Sequence, residues 1–247
     1  MYKKLLSRAS ILMFAFILSA CGTEEVTKIN DEEYQTVSKQ NDVQKEYELV
    51  TETYSKDNVH IEYPQIINFT DEGKQQEINE LIKKEALAPY LNTIQNLEPG
   101  QKYEAEGKYE IKLKNNQLLS IAYKSYNNIS SSAHPYNLFF TTNIDLTTGK
   151  QLFLSDFVSN IDEKFVSILK NAKYVGDLGE ENEEQIREIV FSQYNNDEDL
   201  ILALTKGSES GIYVYITENF LGISMPVAHV AGDHAEFEID LSLLNDK

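Results

Sequence analysis

Four histidines are the side chains of this 247-residue chain that ordinarily titrate near neutrality, so proton transfer or imidazole ligation would begin with them. His134 precedes Pro135 and follows Ser131 and Ser132. A base beside hydroxyls is the start of a nucleophilic site. No orienting acid stands near it in sequence, however, so His134 and its neighbour Tyr136 read better as binding residues. His229 and His234 flank Val230-Ala231-Gly232-Asp233. Four intervening residues fit neither a helical turn nor alternate strand positions, although a loop would let both rings meet at Asp233. The candidate binding set is therefore His134, Tyr136, His229, Asp233 and His234. No catalytic residue, metal-ligand set or cofactor is expected. His60, beside Glu62 on the polar face of its strand, reads as solvated.

Other signatures of chemistry are weak. The sequence has no G-x-G-x-x-G after a strand and no phosphate-binding P-loop. Gly207-Ser208-Glu209-Ser210-Gly211 has the outline of a hydrolase nucleophile elbow, but Glu209 stands where the nucleophile would be, so a hairpin loop is expected. Ser167-Ile168-Leu169-Lys170 matches the S-x-x-K of penicillin-recognising enzymes without their S-D-N and K-T-G companions, and reads as an amphipathic helix. Asp177 to Glu184 and Asn195 to Asp199 concentrate carboxylates but lack the glycine and closing glutamate of an EF-hand loop. They read as solvated helix flanks.

Lys3, Lys4 and Arg8 precede an apolar run from Ala9 to Leu18, and Ser19-Ala20 lead into Cys21, the sole cysteine. The layout is that of an export signal, too short to span a bilayer. Ending in cysteine, it resembles a bacterial lipoprotein signal. That resemblance implies removal of residues 1–20, a diacylglycerol on Cys21, and a location on the outer side of a cell membrane. Residues 21–45 are polar and read as an acidic flexible tether whose ends lie roughly 25–30 Å apart. The formal charge is −18, and loss of the three leading cations would leave −21. Such a polyanion repels nucleic acid and attracts basic partners. A single cysteine means that the fold is held without an internal disulfide.

The body reads as α+β, two antiparallel-sheet subdomains with helices packed on one face, divided as 46–134 and 135–247. The first carries 14 acidic and 9 basic residues, the second 20 and 7. A hairpin is expected across Lys56-Asp57-Asn58, closed by Pro64, and then a helix capped by Asp71 that Pro89 ends or kinks. Tyr103, Ala105, Tyr109, Ile111 and Leu113 alternate with charged residues, as in a strand with one wet face. A three-residue loop at residue 115 would pair Leu113 with Leu119, Ile111 with Ile121 and Tyr109 with Tyr123. Further on, Ser159 and Asp162 read as a capping box for a helix burying Phe165 and Leu169, and Ile186 and Val190 mark another. Strands follow around 212–217, 220–225 and 235–240.

From His134-Pro135 through Ile144-Asp145-Leu146-Thr147-Thr148-Gly149-Lys150-Gln151-Leu152-Phe153-Leu154-Ser155-Asp156-Phe157, the chain resembles a pair of bacterial envelope domains of unknown function. The pair is similar to the accessory region of PdaC-like peptidoglycan deacetylases followed by an RsiV-type C-terminal domain, as in lysozyme-sensing anti-sigma factors. Ile61-Glu62-Tyr63-Pro64-Gln65-Ile66, Glu77 to Ile82 and Phe237-Glu238-Ile239-Asp240 extend the resemblance across about residues 46–245. It implies an α+β fold and no transferable catalytic residue. The expected function is a lipid-anchored, non-catalytic binding module for cell-wall glycan (peptidoglycan) or an extracytoplasmic protein. The alternatives are a lysozyme-binding or lysozyme-inhibiting lipoprotein, and an envelope hydrolase centred on His134.

Overall fold

The structure, a computed structural model, describes residues 47–176 and 182–244. The signal peptide, Cys21 and the tether expected from sequence lie outside the described residues, as do residues 177–181 of the acidic run.

Strands β1 (Glu48–Lys56) and β2 (Asn58–Ile67) form the expected hairpin, turning on Asp57 at φ 52°. Pro64 does not close it, for β2 runs through Pro64 to Ile67. Ile66 gives both its N–H and its C=O to the Asn79 side chain, so these groups point away from β1. Strand period places the Pro64 nitrogen on that same side, where β2 has no strand partner beyond Ile61 among the described residues, and a missing donor breaks no ladder bond there.

Helix α1 (Glu72–Gln95) follows, with the Asp71 side chain accepting from the Lys74 N–H. It continues for six residues past Pro89, so the proline does not end it. The fully buried Ile78, Ile82 and Ala86, with Tyr90 beyond the proline, hold it against the sheet and outweigh one lost backbone bond. Strand β3 (Tyr103–Lys114) returns parallel to β2 across Asn58–Ile61, the one parallel pairing among the described residues. Strands β4 (Leu118–Ile129), β5 (Tyr136–Asp145) and β6 (Lys150–Leu152) complete a six-stranded sheet in sequence order.

The β3–β4 loop has the expected three residues, and Tyr109 and Ile111 face Tyr123 and Ile121. A bulge then shifts the register, so Leu113 meets Ser120 rather than Leu119. The extra residue turns Leu113 toward the other face of the sheet, where it joins the second core. The division expected at 134/135 falls between β4 and β5, two paired neighbours of this one sheet.

The rest of the chain builds a second layer pair. Helices α2 (Leu154–Phe157) and α3 (Glu163–Lys170), strand β7 (Lys173–Tyr174), and helices α4 (Glu183–Phe191) and α5 (Asp197–Lys206) lead into β8 (Tyr213–Ile216), β9 (Phe220–Pro226) and β10 (His234–Asp240). The sheet order is β7-β10-β9-β8. Asp162 itself caps α3, accepting from the Phe165 N–H, so no box forms at Ser159. Asn196 caps α5 with three acids in its first turn, which makes the Asn195–Asp199 segment a helix start at the positive end of the dipole. The elbow-like Gly207–Gly211 segment is a 3₁₀ turn leaving α5, not a hairpin loop.

Each sheet carries helices on one face, as expected. Ile78, Ile82 and Tyr90 of α1 pack on Ile61, Ile121 and Ile144 of the first sheet. Phe165, Val190 and Leu200 pack on Ile223, Met225 and Phe237 of the second. The two free faces meet each other through Ala122, Phe139 and Tyr215.

Candidate functional site

The interface between the sheets is polar at its centre. The outer edge of β8 is covered by side chains instead of a strand: the Val214 carbonyl accepts from Thr141 (2.5 Å) and Asn143 (2.8 Å), and the Ile216 N–H donates to Ser120 (3.1 Å). Beside this seam lies Glu236, 3% exposed, with Lys124 Nζ at 2.8 Å and His234 Nε2 at 3.5 Å. Burial alone would raise the Glu236 carboxyl, but hydrogen bonds from His234 and Lys124, with the charges of Lys124 and Lys112, bring it down to about 2. Lys112, delivered by the β3 bulge, sits 4.7 Å over the Tyr215 ring. Tyr215 donates to Glu238 at 3.1 Å, and burial followed by the charges of Glu236 and Glu238 pushes its hydroxyl upward.

His234 belongs to this buried layer. Its ring stacks on Phe139 with centroids 4.8 Å apart, and its Nδ1 is buried with no hydrogen-bond partner among the described residues. The second site histidine of the loop, His229, points outward instead. The loop between β9 and β10 therefore separates the two rings that sequence spacing left free to meet. Gly232 (φ 96°) and Asp233 (φ 73°) are both left-handed, and this double turn swings the Asp233 carboxylate back over the loop. There it pairs with His229 Nδ1 at 3.0 Å and accepts from the Asn137 N–H (2.7 Å) and side-chain amide (3.2 Å) at the start of β5. The His134 ring stacks on His229, centroids 5.8 Å apart and planes 14° from parallel. So His134, His229 and Asp233 come together.

Tyr136 does not join them. It lies on the α1 face of the sheet, where burial first and then the Tyr136 hydroxyl push Tyr103 upward, while Tyr103 donates to Asn127 at 2.5 Å. Ser131 accepts from Gln101 at 2.6 Å, so that hydroxyl is engaged away from His134. His60 is solvated and 3.1 Å from Ser55. Among the described residues, no three His, Cys, Asp or Glu side chains gather as a metal site.

The histidine pair ends a cross-strand row that the sequence did not reveal. Ser55 lies opposite His60, His60 beside Glu106, Glu106 opposite Tyr126, and Tyr126 opposite Asn137, which holds Asp233. All five strand residues are exposed on the face of the sheet that the second sheet leaves uncovered, with Tyr126 at 45%. At the usual strand spacing the row spans roughly 19 Å. The missed residue is Tyr126. It has the strand parity of Lys124, opposite to the core residue Tyr123, and its exposure depends on where the second sheet ends.

A second concavity of about 870 Å³ opens between α1, the β5–β6 edge and the α5–β8 connection. Phe140, Leu154, Leu204 and Tyr213 line it, and Phe153 stands at it 55% exposed.

The architecture is an α+β fold with helices outside two facing sheets. No protein-family model matches the chain, and no curated protein matches it. Among solved structures it is similar to a DUF3298 family protein from Pseudomonas aeruginosa PAO1, at 15% identity over 81% of this chain and 92% of that one, TM-score 0.48. It is also similar to a DUF3298 family member from Bacteroides fragilis NCTC 9343, at 15% identity over 80% of this chain and 90% of that one, TM-score 0.44. Among the described residues, no helix is long and apolar enough to cross a membrane.

Proposed function

We propose that this protein is a lipid-anchored, non-catalytic module of the bacterial envelope whose open sheet face holds a cell-wall glycan strand. The observation that carries the reading is Tyr126, an exposed ring set in a row of Ser55, His60, Glu106, Asn137, Asp233 and His229. A sugar ring has an apolar face and a rim of hydroxyls. A solvent-facing tyrosine offers the stacking surface, and flanking carboxylates, imidazoles and amides offer hydrogen bonds on either side. The signal-like segment ending in Cys21 supports the location, through acylation of that thiol.

The test is co-sedimentation of the purified full chain with purified, protein-free cell-wall sacculi. The wild type is expected in the pellet at moderate salt, and Tyr126→Ala in the supernatant with an unchanged melting temperature. Equal sedimentation of the two proteins removes the glycan reading. A basic protein such as lysozyme is the alternative occupant, favoured by the net charge of −18. It would be recognised by a complex that forms at low ionic strength and dissolves as salt rises.

A further inference from the structure

The 870 Å³ concavity is separate from the sheet face that carries Tyr126, and three observations converge on what it would take. Its floor is apolar, with Phe140, Leu154 and Leu204, and Phe153 leaves most of an aromatic ring uncovered beside it. A space of this volume is at the upper end of small-ligand pockets.

Among the charged groups around that floor, acceptors outnumber donors. Glu85 and Glu209 contribute carboxylates, against the single ammonium of Lys206 among the charged groups of the lining. Among the described residues Glu85 is paired only with Lys84, whose side chain is 76% exposed, a contact that a ligand cation displaces at little cost. Pro89 adds an acceptor through the backbone. It lies in the interior of α1 and has no N–H, so the Glu85 carbonyl one turn earlier lacks its ordinary helical donor, and both residues line the concavity. On the opposite wall, Thr205 and Lys206 belong to the last turn of α5, the negative end of a ten-residue helix. Acceptors and partial negative charge on two walls ask for a ligand that donates and carries positive charge.

The third observation separates a peptide from a simple amine. Strand β6 is the last strand of its sheet, and Gln151 and Leu152 of that strand line the concavity. Among the described residues no strand pairs with the other side of its backbone, and such an edge beside an apolar floor is the arrangement that pairs with an extended main chain.

We infer that this concavity is a second binding site, for a short extended peptide that places apolar side chains on Phe140, Leu154 and Phe153 and a lysine ammonium between Glu85 and Glu209. The inference stands apart from the glycan reading, since the two sites share no residue.

Calorimetric titration of the full chain with acetyl-Thr-Leu-Lys-Leu-amide tests it. Measurable binding is expected, with affinity lowered about tenfold by Glu85→Gln and by Glu209→Gln, as for loss of a hydrogen bond to a charged group. Phe153→Ala weakens it as well, and Tyr126→Ala leaves it unchanged. The same peptide with glutamate or acetyl-lysine in place of lysine is expected not to bind. All four substituted side chains are at least partly exposed, and melting curves check that the variants are folded. The proposal is overturned by no heat with the lysine peptide at millimolar concentration, by equal binding of its acetyl-lysine form, or by unchanged affinity in both glutamine variants. Equal binding of hexylamine overturns the peptide assignment. Loss of binding on Tyr126→Ala overturns the separation of the two sites.

Discussion

Under α1 the six-stranded sheet presents Ile61, Ile121 and Ile144, whereas toward the second sheet it presents Ser120, Asn143 and Lys124. The first face is held by apolar area, and many substitutions of similar volume would serve there. The second is held by particular partners: hydroxyl and amide groups that complete the edge of β8, and lysines that neutralise Glu236. Apolar packing tolerates sliding. A seam of directed hydrogen bonds fixes one orientation of the two sheets, and with it the position of the β9–β10 loop that brings Asp233 to Asn137.

The largest expected effect comes from breaking that seam at its charge. The Glu236 carboxyl is lowered from 4.5 to about 2 on folding, a difference of about 3 kcal/mol in favour of the ionised native state. Because the folded value is the lower one, this contribution is complete above pH 4.5 and disappears as pH falls through about 2. Glu236→Gln is expected to lose about 3 kcal/mol in urea denaturation at pH 7 and much less near pH 2.5. An equal loss at both pH values would show that the ionic partners do not stabilise the interface.

A smaller effect sharpens the contrast between the two faces through one glycine on each. At Gly222 an added Cβ would run into the body of the Tyr215 ring, which lies flat across β9. At Gly107 it would meet the tips of two side chains, Ile61 Cδ1 at 2.8 Å and the Tyr90 hydroxyl at 2.9 Å. A ring wedged between Glu238 and Lys112 cannot retreat, while side-chain tips under α1 can. Gly222→Ala is expected to cost about 2–3 kcal/mol and Gly107→Ala about 1 kcal/mol, by thermal denaturation of each variant. The reverse order would place the rigid face under α1.

What could be read from the sequence followed the same division. The alternation from Tyr103 to Leu113 located a strand, its wet face and a three-residue loop, because burial on one side imposes a period of two. It could not show the bulge at Lys112, which sets that side chain over Tyr215, about a hundred residues away. Glu236 and Glu238 alternate with Phe237 and Ile239 in the pattern of an ordinary solvated strand face. Only the docking of a second sheet makes that face an interior. Neither Pro64 nor Pro89 ends its element, for a related reason. Each lacks a donor, but Asn79 holds the strand and the packing of Tyr90 and Ile82 the helix. Of the candidate binding residues, three converge because Gly232 and Asp233 adopt left-handed turns, a local feature visible as Gly-Asp. His234 and Tyr136 went to other faces, which depended on strand parity in the assembled sheets.

The measurement with the most direct bearing on the glycan-binding face is an amide NMR titration of the full chain with soluble cell-wall glycan oligosaccharides. Shifts are expected at Glu106, Tyr126, Asn137 and the His229–Asp233 loop, with the amides of β6 and α5 unmoved. Saturating glycan that leaves those residues unshifted, or that shifts only residues elsewhere, would contradict the assignment of this face.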